Sequence, residues 1–75
     1  MRLATKIEAI LYLQARPLAI AELMEISGED RSLVEDALME LMEDYAHRDS
    51  ALEITETDQG YSLQLRAAFQ SLIQD

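Results

Sequence analysis

The sequence predicts an α+β domain, mostly helical: a winged helix, in which a helix-turn-helix is followed by a C-terminal β-hairpin wing and a short last helix. Three observations carry this. Apolar residues recur at steps of three and four through the first part of the chain, the period of buried helix faces. The gap between the second and third helical stretches is only about three or four residues, the mark of a helix-turn-helix. From Leu52 onward the apolar period changes to two, on either side of the turn signal Thr57-Asp58-Gln59-Gly60.

The chain is organised around its third helical stretch, Asp30 to Arg48. Val34, Ala37, Leu38, Leu41, Met42 and Tyr45 make one apolar stripe, with Asp30 as a suitable N-cap. Glu35, Asp36, Glu40, Glu43 and Asp44 lie away from the centre of the stripe, and Met39 falls among them. Like charges at four-residue spacing repel, so this face is expected to gain stability from salt.

The first helix is expected over Leu3 to Arg16, ended by Pro17, which pushes the residue before it toward extended backbone. Leu3, Ile7, Ile10 and Leu11 form its core stripe, while Ala9 and Leu13 fall on another side with Tyr12 between. Leu18 has room for a very short strand or extended bridge. Ile20 to Ile26 is the second helix, with Gly28 placed to close it in a left-handed conformation; Ala19 offers no capping side chain. The strands are Leu52-Glu53-Ile54-Thr55 and Tyr61 to Arg66, and Ala67 to Gln74 is the last helix, with Phe69, Leu72 and Ile73 on one side. The expected core is Leu3, Ile7, Ile10, Leu11, Leu23, Val34, Leu38, Leu41, Leu52, Ile54, Tyr61 and Leu63.

Composition narrows the function. Seventy-five residues, 49% of them apolar, make a single domain over residues 1–75. The absence of cysteine rules out disulfides and thiolate metal sites. No apolar run approaches a membrane span, and the N-terminus lacks a signal-peptide pattern, so no membrane association and a cytoplasmic location are expected. The net charge is -9. Between Ala19 and Asp58 there are 13 acids against only Arg31 and Arg48. DNA binding needs cations that neutralise phosphates, so no direct DNA binding is expected from the acidic third helix. The alternative is a DNA-binding transcription regulator that grips the duplex with its wing and N-terminal arm through Arg2, Lys6, Arg16 and Arg66. His47 has no cysteine or second histidine beside it, and the serines lack an accompanying base. No catalytic residue, metal ligand or cofactor is expected.

The residues IEAILYLQARPLAIAEL, a following glycine, the acidic helix, LEI, and GYSLQLR together resemble the segregation and condensation protein B family of bacteria, specifically the first of its two winged-helix domains. The resemblance covers nearly the whole chain. Ile7-Glu8-Ala9-Ile10-Leu11 leading to Pro17-Leu18, and Leu52-Glu53-Ile54 with Gly60-Tyr61, are its most specific parts. It implies a non-enzymatic subunit of a condensin-like complex in chromosome segregation and condensation, nucleoid-associated through that complex. It also implies a homodimer that binds the kleisin subunit bridging an SMC ATPase. The family carries a second winged helix after this one, which makes this chain the expected N-terminal half of a longer protein.

Apolar residues left over from the core mark the candidate partner-binding surface: Ala9, Tyr12 and Leu13 on the first helix, Met39 on the third, and Phe69, Leu72 and Ile73 at the C-terminal end. A first helix in a three-helix fold needs one buried face, and this one has nearly two.

Overall fold

In a computed structural model, residues 1–72 are described. Three helices precede a two-stranded antiparallel hairpin: α1 Leu3–Gln14, α2 Ile20–Ser27, α3 Arg31–Ala46, β1 Leu52–Thr57 and β2 Gly60–Leu65. This is the winged-helix arrangement the sequence predicts.

Helix α1 stops two residues short of the expected Arg16. Ala15 takes a left-handed conformation (φ 54°) and its N–H donates to the Leu11 carbonyl, ending the helix before Pro17 exerts its effect. The backbone then runs extended, and Leu18 bridges to Tyr61 with both of its backbone hydrogen bonds, each 2.8 Å. Leu18 is fully buried there. Gly60 makes the approach possible: a Cβ on Gly60 would lie 2.3 Å from the Leu18 carbonyl carbon.

Helix α2 begins without a capping side chain at Ala19, and Glu22 compensates from within the first turn. Its carboxylate accepts from the Ala19 N–H at 3.1 Å and pairs with Arg16 at 2.8 Å. The Arg16 guanidinium, and after it the Ala19 N–H, hold the Glu22 carboxyl below its ordinary range. Gly28 closes the helix in the left-handed region (φ 76°), donating to the Met24 carbonyl. Asp30 caps α3, accepting from the Leu33 N–H at 3.0 Å.

The core lies between the three helices and the hairpin. Ile7, Ile10, Leu11, Leu23, Val34, Leu38, Leu41 and Ile54 are buried as expected. Leu3, Leu52, Tyr61 and Leu63 are only partly buried and pack against its edge. Ala4, Leu18, Ala37 and Tyr45 complete it. The ladder pairs Ile54 with Leu63 and Glu56 with Tyr61, which places these four side chains on one face. On the other face Thr55 and Ser62 share a 3.2 Å hydrogen bond.

The expected helix over Ala67 to Gln74 is, among the described residues, a single 3-10 turn over Ala67–Phe69. Phe69 and Leu72 stay exposed, at 36% and 71%, rather than packing into the core. A segment this short gains too little from its own hydrogen bonds to propagate as an α-helix without such packing. Ile73, the third residue of that stripe, lies outside the described residues.

Candidate partner-binding surface

The surface is built from the side of α1 that the core leaves over. Ile7, Ile10 and Leu11 turn inward, and at about 100° per residue Thr5, Glu8, Ala9 and Tyr12 follow one another along the adjoining side. Opposite them the hairpin presents Leu52 and Leu63. The result is a trough of about 390 Å³ lined by Thr5, Glu8, Ala9, Tyr12, Leu52 and Leu63, with Tyr45 below. A second hollow of about 310 Å³, reaching Ala15 and Gln64, shares Tyr12, Leu52 and Leu63 and continues the first toward the end of α1. The incomplete burial of Leu52 and Leu63 has this cause: they form a wall of the trough rather than filling the core.

Of the residues singled out from the sequence, the structure brings Ala9 and Tyr12 together here, with Tyr12 71% exposed. Leu13 is as open, at 75%, but points further round α1 and does not line the trough. Met39 projects from α3 among its acids. Phe69 and Leu72 extend the exposed apolar area beyond the hairpin and do not line the trough either.

One polar pair stands in the trough that the sequence reading passed over. Tyr45 is buried, and its hydroxyl donates to the Glu8 carboxylate. Burial, and then the Glu8 carboxylate, push the Tyr45 hydroxyl above the ordinary tyrosine range. The Arg48 guanidinium lies over the Tyr45 ring, 4.3 Å from its centre. A periodicity reading places Tyr45 in the core stripe and Glu8 outside it, but carries no signal that pairs residues 37 positions apart.

The cations are occupied. Arg2 pairs with Glu40 and lies 4.0 Å from Asp44. Lys6 donates to the Ser27 carbonyl at 3.0 Å, Arg16 pairs with Glu22, and Arg31 pairs with Glu35 at 3.0 Å. Arg66 donates to the carbonyls of Tyr45 and Leu52. Among the described residues no group of three or more His, Asp or Glu side chains is placed to hold a metal ion, and no helix is long and apolar enough to cross a membrane.

No curated protein matches the chain in comparison. A family model does: residues 5–75 match the segregation and condensation complex subunit ScpB. The match spans almost the whole sequence and agrees with the winged-helix architecture and the residues that resemble this family. The chain belongs to the ScpB family, subunits of the segregation and condensation complex.

Proposed function

We propose that the chain is a non-enzymatic protein-interaction module, the N-terminal winged helix of a longer subunit acting in the cytoplasm at the nucleoid. In this reading it forms a homodimer and joins a condensin-like complex through the kleisin subunit, and through the kleisin the SMC ATPase. The observation that carries the reading is the surface of α3. The helix that would enter a DNA groove exposes Asp36, Glu40, Glu43 and Asp44, and the cation nearest them, Arg2, is paired with two of these acids. The four bases that a DNA-binding regulator would use, Arg2, Lys6, Arg16 and Arg66, each hold a partner within the domain. Exposed apolar residues on α1 supply what a protein contact needs instead.

Titration with labelled duplex DNA at low salt tests this. Binding weaker than micromolar is expected. Tighter binding with a steep salt slope overturns the reading in favour of a DNA-binding regulator. Co-purification of the full-length protein with its candidate partners tests the kleisin and SMC assignment.

A further inference from the structure

The Glu8 carboxylate is the one acid that stands in the apolar trough. It is half-buried, with apolar Ala9, Tyr12, Leu52 and Leu63 around it. Its one hydrogen-bond partner among the described residues is the Tyr45 hydroxyl, and no Lys, Arg or His nitrogen lies within salt-bridge distance of it. The nearby Arg48 is engaged with the face of the Tyr45 ring. Partly desolvated carboxylates are normally matched by a cation, and the domain directs its own cations elsewhere. The trough also has definite dimensions. It runs beside α1 from Thr5 to Ala15, roughly 15 Å or three helical turns at 1.5 Å per residue.

We propose that this trough seats one amphipathic helix of a partner protein, whose apolar side chains lie on Ala9, Tyr12, Leu52 and Leu63 and whose lysine or arginine reaches the Glu8 carboxylate. The inference rests on reading the chain as a protein-interaction module, and it names the chemistry of the partner. Apolar contact along three turns supplies affinity, as helices do in hydrophobic grooves. The single cation supplies register, since it can meet Glu8 from one position only. A domain of net charge -9 attracts a basic segment at long range, and the lone acid in the trough decides where it settles.

Two isomeric synthetic peptides test this, each about 16 residues long and made of Leu, Ala, Gln and one Lys. In one the Lys sits at the centre of the apolar face. In the other the same Lys sits on the polar face, so net charge and composition are equal. Each is titrated into the isotope-labelled 75-residue chain, with backbone amide shifts as the readout. The first peptide is expected to move the amides of Thr5, Ala9, Tyr12 and Leu63 and to bind roughly tenfold more tightly than its isomer. Glu8→Gln keeps an acceptor for Tyr45 and is expected to level the two peptides. Equal binding of the isomers to the parent, no binding, shifts confined to the acids of α3, or a preference that survives Glu8→Gln would each overturn the proposal. Amides of Thr5, Ala9 and Leu63, on the side of the trough away from Leu13, that move with protein concentration alone would show a second copy filling the site rather than meeting the chain along the Tyr12–Leu13 edge of α1, and would also overturn it. Duplex DNA binding bears on the broader functional reading and leaves these outcomes unchanged.

Discussion

Tyr45, in the last turn of α3, donates its hydroxyl to Glu8, in the middle of α1, and so ties together two helices that otherwise meet through apolar side chains and, at the start of α1, through the Arg2–Glu40 pair. The bond is charge-assisted and its donor is buried. Replacing Tyr45 by Phe keeps the ring and removes the donor, at an expected cost of about 1.5–3 kcal/mol. Urea unfolding of parent and variant measures it. A midpoint unchanged within error would show that water replaces the tyrosine without loss.

The same bond makes the domain sensitive to alkali. Burial, and then a neighbouring carboxylate, raise Tyr45 and Tyr61: Glu8 acts on Tyr45 and Glu56 on Tyr61. Each therefore holds its proton more firmly folded than unfolded. The stability this contributes is whole below the unfolded tyrosine value of about 10. It is lost as pH climbs through that value toward the folded one. Melting temperature is expected to fall above pH ~10, and Tyr45→Phe should flatten the fall. An equally steep decline in the variant would assign the effect to other groups.

Three left-handed residues separate backbone conformation from packing. Gly60 has φ 129° and no room, since a Cβ would lie 2.3 Å from the Leu18 carbonyl oxygen. Gly28 has φ 76° and open space around it. Ala15 already carries a Cβ at φ 54°. Gly28→Ala should cost about 1–2 kcal/mol, the conformational term alone, and Gly60→Ala distinctly more, because the Leu18–Tyr61 bridge must also move. Ala15→Gly should stabilise by a few tenths to about 1 kcal/mol. Thermal melts of the three variants rank them, and equal losses at Gly28 and Gly60 would show that the bridge yields freely.

The fold was legible because its burial is periodic. The stripe from Val34 to Tyr45, the stripe from Leu3 to Leu11, and the alternation around Thr57–Gly60 each place a face without knowledge of the others. Two kinds of feature were not legible. The extended bridge at Leu18 is legible from Pro17 and is present, but its burial is not: one residue is too short to show a period, and the close packing there depends on Gly60 lying 42 positions later. The trough depends on where α1 and the hairpin diverge, which decides that Leu52 and Leu63 are half open while Ile54 is closed. The charge of the α3 face is plain in the sequence, but Arg2 reaching across from the N-cap of α1 is a tertiary contact that no helical wheel contains.

That contact changes what salt is expected to do. Asp36, Glu40 and Asp44 stand at four-residue spacing, and Arg2 opposes the repulsion of the last two. Sodium chloride screens both the repulsion and the pairing, so the parent should respond weakly. Arg2→Ala leaves the repulsion alone, and its melting temperature should rise with moderate salt by a few degrees more than the parent's, from tenths of a kcal/mol at ~4–8 °C per kcal/mol. Equal slopes would show that the Arg2 pair contributes nothing in solution.

Self-association is the prediction on which the α1 surface turns. Tyr12 and Leu13 are 71% and 75% exposed on neighbouring sides of α1, and neither is covered by the C-terminal turn of its own chain. The acids crowd α3, whereas α1 carries Lys6 and is flanked by Arg2 and Arg16. Two copies meeting along α1 would keep their third helices apart, and a two-fold contact is the commonest way for one patch to close on itself. The expected state is a dimer whose contact includes Tyr12 or Leu13. Sedimentation of the parent and of Leu13→Glu checks this, and the variant should remain folded because the new carboxylate faces solvent. Dissociation of Leu13→Glu with an unchanged melting profile at high dilution would place the contact. A parent that stays monomeric at high concentration removes the dimer, and a dimeric Leu13→Glu moves the contact off Leu13, leaving Tyr12→Glu to decide whether α1 takes part.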